Sequence, residues 1–130
     1  MQLNLSLRDK VDYLEVVQNG EVVHEVRLED YRNRKGKLPP VEFTESGWML
    51  VRAVTNNPKT YRFASTGPYY VEFDGTPRIS RSAAQFFVDW VKERIEKVDL
   101  KDETQRLEVL KYHESARAFW QDKVAAANAE

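Results

Sequence analysis

Two periodicities divide the chain. Up to about residue 79, apolar residues recur at every second position in short runs. Leu3, Leu5 and Leu7 alternate with Asn4 and Ser6, the pattern of a half-buried strand. Residues 13–17 form a second β-prone run. It leads into Asn19-Gly20 and then into residues 22–28, and Asn-Gly between two such runs predicts a type I′ hairpin, because both residues tolerate positive φ. Residues 31–37 are polar and read as an exposed loop. Pro39-Pro40 imposes an extended approach to residues 41–43. Residues 48–54 are strongly apolar and predict an inner strand, ended by the turn Asn56-Asn57-Pro58. Residues 61–64 and 69–73 are two further aromatic strands separated by Gly67-Pro68, and Asp74-Gly75-Thr76-Pro77 closes the region.

From about Ser80 the spacing changes to that of a helix. Ala83, Phe86, Phe87, Trp90, Val91, Ile95 and Val98 form one apolar stripe, with Ser82 and Gln85 spaced as a capping box. Residues 99–102 break the pattern. A second helix over about 103–126, with Asp102 as its cap, carries Val109, Tyr112, Ala116, Phe119 and Trp120. The tail from Ala125 to Glu130 is expected to fray.

The expected fold is α+β: a mainly antiparallel, immunoglobulin-like β-sandwich over residues 1–79, followed by a hairpin of two antiparallel α-helices over 80–130. The hairpin is expected to pack on the sandwich within a single domain. Trp48, Leu50, Phe63, Val71 and Phe73 are expected in the core, and Trp90 and Trp120 to secure the helices.

Composition narrows the chemistry. The chain has 130 residues, 42% of them hydrophobic and 12% aromatic, which fits one folded domain rather than a disordered chain. Twenty basic residues against twenty-one acidic ones give a net charge of −1, with no overall pull toward nucleic acid or an anionic membrane. The absence of cysteine excludes disulfides, thiolate catalysis and cysteine-bound metals. No apolar run approaches a membrane span, and the N-terminus does not read as a signal peptide. A soluble protein is expected, cytoplasmic or exported by a signal outside this chain.

Few residues invite catalysis. There are two histidines, His24 and His113, and neither accompanies a nucleophile motif. His113-Glu114 begins like a zinc-protease helix, but the second ligand position holds Arg117, a cation. The five glycines are scattered at turns and form no phosphate loop. Arg32 and Arg34, with Lys35 and Lys37, suit an anionic ligand or an acidic partner. Glu29 and Asp30 offset them, which favours a solvated loop. Tyr69 and Tyr70 are candidates for ligand stacking, with Tyr70 pointing outward if Tyr69, Val71 and Phe73 point in. Arg52 and Arg62 are candidates for docking or structural ion pairs.

The runs Ser46-Gly47-Trp48-Met49-Leu50-Val51-Arg52-Ala53-Val54 and Tyr61-Arg62-Phe63-Ala64-Ser65-Thr66-Gly67-Pro68-Tyr69-Tyr70-Val71-Glu72 resemble the C-terminal β-rich region of CehA/McbA-type metallohydrolases, relatives of the PHP phosphoesterases. The Asn19-Gly20 hairpin and the helix with Phe86-Phe87 and Trp90 resemble the same region. In that family the metal ligands lie upstream, in His-x-His and further positions, and this sequence has no His-x-His, so no catalytic or metal-binding residue carries over. The resemblance implies a non-catalytic accessory domain, without cofactor, that docks on a metallohydrolase catalytic domain of the same or another chain. The alternatives are a carbohydrate- or small-ligand-binding module and a small independent enzyme. No nucleic-acid or membrane partner is expected, and a homo-oligomer is compatible with the sequence.

Overall fold

The computed structural model describes residues 1–6 and 8–130, which form two compact units, Met1–Pro77 and Arg78–Glu130. The first holds β1 (Val11–Gln18), β2 (Glu21–Arg27), a short helix α1 (Leu28–Asn33), β3 (Gly47–Thr55), β4 (Phe63–Ser65) and β5 (Tyr69–Val71). All pairings are antiparallel, in the order β2-β1-β3-β4, with β5 pairing β3 as well. The second unit holds α2 (Arg81–Glu96) and α3 (Glu103–Ala125). The chain is therefore α+β, a five-stranded antiparallel sheet followed by two antiparallel helices.

The β1–β2 hairpin turns on Asn19 and Gly20, both at positive φ (53° and 100°), as a type I′ turn demands. Asn19 also ties the hairpin to β3: its Oδ1 accepts from the Trp48 backbone N–H at 2.9 Å, and its own N–H donates to the Trp48 carbonyl at 3.0 Å. A Cβ at Gly47 would lie 2.6 Å from that Oδ1, so only glycine lets the turn sit against the start of β3.

One face of the sheet carries the core. Leu14 and Val16 of β1, Val26 of β2, and Met49, Val51 and Ala53 of β3 pack with Val11, Tyr31 and Leu38. Leu3, Leu5, Leu28, Val41 and Phe43 cover them, giving a sandwich-like domain whose second layer is α1 and extended segments. Tyr31 fastens this layer by donating its hydroxyl to the Leu3 carbonyl at 2.5 Å.

Several expectations are corrected here. Leu3 and Leu5 lie in no strand; this segment makes one bridge, Gln2 to Lys37, and packs by side chain, while Leu7 lies outside the described residues. The polar stretch expected as a loop begins inside α1, where Tyr31 is buried. Trp48, Leu50 and Val71 are half-buried, and Phe63 and Phe73 are exposed. In β3 both alternating sets are apolar, so period two alone left the core phase open. The structure puts the slimmer set inward and Trp48 and Leu50 outward.

The helical unit also departs from expectation. Ser80, not Ser82, caps α2, accepting from the Ala83 N–H, and Gln85 bonds Asp89 instead of completing a capping box. Asp102 caps α3 as predicted, accepting from the Gln105 N–H. The C-terminal tail is held. The Asn128 and Ala129 N–H groups donate to the Ile79 carbonyl, Arg81 N–H donates to Ala129, and the Arg81 guanidinium reaches the Val124 carbonyl. These bonds place the start of α2 beside the end of α3, so the helices run antiparallel. Phe87 stacks on Trp120 with centroids 4.3 Å apart, whereas Trp90 is 51% exposed.

Two stability outcomes follow. Leu14→Ala empties a fully buried site and should cost about 2–5 kcal/mol in denaturant unfolding. Phe87→Ala should cost clearly more than Trp90→Ala, because Phe87 is the ring sandwiched between the helices; equal losses would refute that packing.

Candidate functional site

The second face of the sheet lies opposite the core. Register places Tyr13, Glu15 and Val17 of β1 beside Val54, Arg52 and Leu50 of β3. It places Phe63 and Ser65 of β4 beside Val54 and Arg52, and Tyr70 of β5 beside Trp48. Side chains alternate across a strand, so these residues share one face. Trp48 and Leu50 are half-buried, and Phe63 and Tyr70 are exposed.

An ion pair sits among these apolar groups. Arg52 Nε donates to Glu15 Oε2 at 2.5 Å, and Glu15 is 8% exposed. The Arg52 guanidinium also lies over the Phe63 ring, 5.7 Å from its centroid. Its hydrogen bond to Glu15 holds the guanidinium above its ordinary range. Burial pushes the Tyr13 phenol up, and the negative charge of Glu15 adds to the shift. Glu15 thus has its charge satisfied from one side by a side chain that is itself locked over a ring.

Beside the core face, at the end of β3, lies a cleft of about 560 Å³. Leu5, Val11, Ala53 and Ala64 give it an apolar floor, and Tyr61, Phe63, Arg8, Asp9 and Arg62 form its rim. Arg62 donates to Asp9 at 3.1 Å and to Thr60 at 3.0 Å. Thr55 Oγ1, in the wall, is closed to solvent and has no hydrogen-bond partner among the described residues.

The six candidate residues from the sequence do not form one site. Arg52 and Tyr70 lie on the open face, and Arg62 lines the cleft. Tyr69 pairs Met49 and so projects from the core face, opposite to Tyr70. Arg32 and Arg34 are exposed on α1 and its C-cap, in the layer that covers the core. The two histidine rings each meet a carbonyl: His24 Nε2 is 3.1 Å from Pro40 O, and His113 Nδ1 is 2.9 Å from Val109 O. No group of three His, Asp or Glu side chains suited to a metal ion occurs among the described residues. No helix there is long and apolar enough to cross a membrane.

No family model, curated protein or solved structure matches this chain. The function must therefore be read from the residues themselves. Sequence reasoning missed Glu15 and the outward role of Trp48 and Leu50. The signal for both is the β1–β3 register, which no local pattern encodes.

Two outcomes test this electrostatic reading. Arg52→Ala should cost about 1–3 kcal/mol, discounted because the guanidinium is 31% exposed and partly screened, and Glu15→Gln in the same chain should recover part of the loss. The raised Tyr13 means the folded state keeps that proton to higher pH than the unfolded chain. Its contribution is complete below about pH 10 and is lost as pH rises through the folded value. Tyr13→Phe should flatten that part of the alkaline decline, read as denaturation midpoint against pH.

Proposed function

We propose that the chain is a non-catalytic docking domain that binds the catalytic domain of a PHP-related metallohydrolase, of the same or another chain, through the open face of its sheet. One observation carries the reading: Trp48, Leu50, Phe63 and Tyr70 share a face whose opposite side is already filled by the aliphatic core. An aromatic side chain carries about 150–250 Å² of area, so the exposed parts of these three rings, with Leu50, supply a good part of the roughly 800 Å² that one partner contributes to a specific interface. The Glu15–Arg52 pair on that face gives orientation, since a partner must accommodate a fixed, neutralised pair. The resemblance of the β3–β5 sequence to the C-terminal region of CehA/McbA-type enzymes supplies the partner's class.

Biolayer interferometry against a purified CehA/McbA-type catalytic domain tests it. Binding in the micromolar range or tighter is expected, weakened about tenfold or more by Leu50→Asp or Tyr70→Asp. Absence of binding, or binding indifferent to both substitutions, would sink the proposal. So would phosphatase or esterase turnover by the chain alone with added divalent metal.

The cleft favours a second reading, binding of a small molecule with an apolar body and a polar head directed at Thr55 and Arg62. A sugar platform on Tyr69 and Tyr70 is disfavoured, because the two rings project from opposite faces. Thermal shift by a metabolite set, lost in Thr55→Val and Arg62→Ala but not in Leu50→Asp, would select this reading over docking.

A further inference from the structure

The α2–α3 hairpin has its own asymmetry. Phe87 and Trp120 stack between the helices, and three exposed rings extend from that stack on one side. Phe86 and Trp90 touch Phe87, and Phe119 touches Trp120. Phe86 is 63% exposed and Phe119 53%. Tyr112, 69% exposed, lies two turns before Phe119 on the same stripe of α3. Phe86, Trp90 and Phe119 thus continue the Phe87–Trp120 stack, with Tyr112 farther along the same stripe, on a two-helix unit in which only Ala84 is buried.

The stripe along α3 has a further property. Glu108, Tyr112, Ser115 with Ala116, Phe119 and Lys123 recur at helical spacing, and the series is symmetric about the Ser115–Ala116 bond. Equidistant from that point stand one acid and one base, then two aromatics, with small residues at the centre. Neither Glu108 nor Lys123 belongs to an ion pair among the described residues; Lys123 lies over the Phe119 ring, 5.3 Å from its centroid. They are fifteen residues apart on one helix, about 22 Å, so they cannot meet within a chain.

We propose that this face is a homodimer interface, with α3 packing antiparallel against α3 of a second copy across a two-fold axis through Ser115 and Ala116. Antiparallel pairing about that axis sets Glu108 opposite Lys123 of the second copy, and Tyr112 opposite its Phe119. The same two contacts repeat on the other side of the axis, as an isologous interface requires. Small residues at the crossing let the helices approach to 8–10 Å, roughly the spacing of packed helices. Phe86 and Trp90 of α2 flank the crossing and complete a four-helix arrangement. This inference concerns a surface distinct from the docking face and stands whether or not that face binds a hydrolase.

The test is sedimentation equilibrium and light scattering of the full chain across low micromolar to several hundred micromolar concentrations. A species of twice 15.2 kDa is expected. Glu108→Lys and Lys123→Glu should each weaken association by about tenfold or more, and the two together should restore it, because each swapped residue again faces its opposite in the second copy. Far-UV circular dichroism should be unchanged in all three. The chain has no cysteine, so Ala116→Cys supplies an independent reading: it should oxidise rapidly to a disulfide dimer, while Gln121→Cys should not. A monomer at every concentration, a dimer insensitive to both charge reversals, or reversals that the double variant fails to rescue would each overturn the proposal.

Discussion

A sheet has two faces, and in the Met1–Pro77 unit a second layer covers one of them; on the other, Glu15, Val17 and Val54 are buried while Trp48 and Leu50 are half-buried and Phe63 and Tyr70 exposed. Its second layer is made of residues 1–6, α1 and the 38–43 segment, and all of it lies over Leu14, Val16, Met49 and Val51. The dependence runs both ways. Those covering segments hold their place only because β1 and β3 pair in the register that puts the aliphatic set inward. What remains outward is the bulky set. Removing about 100 Å² of ring surface from water contributes roughly 2.5 kcal/mol, so leaving several rings half-exposed forgoes stability that a binding partner can recover.

Under the docking proposal, the Glu15–Arg52 pair restricts what sort of partner that face suits. A buried ion pair adds little net stability, since desolvation offsets attraction, but breaking one side of it is costly. Here the carboxylate is almost closed to solvent while the guanidinium is still reachable and rests on Phe63. A partner surface that covers it must leave the pair intact and satisfy the remaining guanidinium donors. That requirement discriminates among apolar surfaces that would otherwise fit equally well.

The sequence made legible the features whose cause is local. The Asn19-Gly20 turn needs two residues tolerant of positive φ, and the Asp102 cap needs a side-chain acceptor before a helix; both are readable in a few residues. The shift from period two to period 3.6 near Ser80 likewise marks the passage from sheet to helices. The misreadings have non-local causes. Trp48 and Leu50 look like core because large apolar residues usually are, yet β3 is apolar on both phases, and only its pairing with β1 and the cover over Met49 and Val51 settle which phase is inward. Glu15 is unremarkable until that register sets it opposite Arg52. The tail at Asn128 and Ala129 reads as frayed because its partners, Ile79 and Arg81, lie some fifty residues earlier. The opposite directions of Tyr69 and Tyr70, by contrast, were legible, because a strand sends neighbours to opposite faces.

The helical unit also leaves rings exposed, by different means, and the two proposals differ accordingly. Two helices alone have a single shared seam, filled by Phe87 and Trp120, and the rings beside it, Phe86, Trp90 and Phe119, are left exposed. On the sheet, charge is already neutralised within the chain by Glu15 and Arg52, and the apolar groups around them have no internal symmetry. A second copy would present the same neutralised pair and gain no complementary charge. On α3 the acid and the base stand apart, equidistant from a small-residue centre; neither belongs to an ion pair among the described residues, and the proposed antiparallel copy would bring each to its opposite. Self-complementarity in one surface and its absence in the other are why a second copy is proposed for the helices and an unlike partner for the sheet.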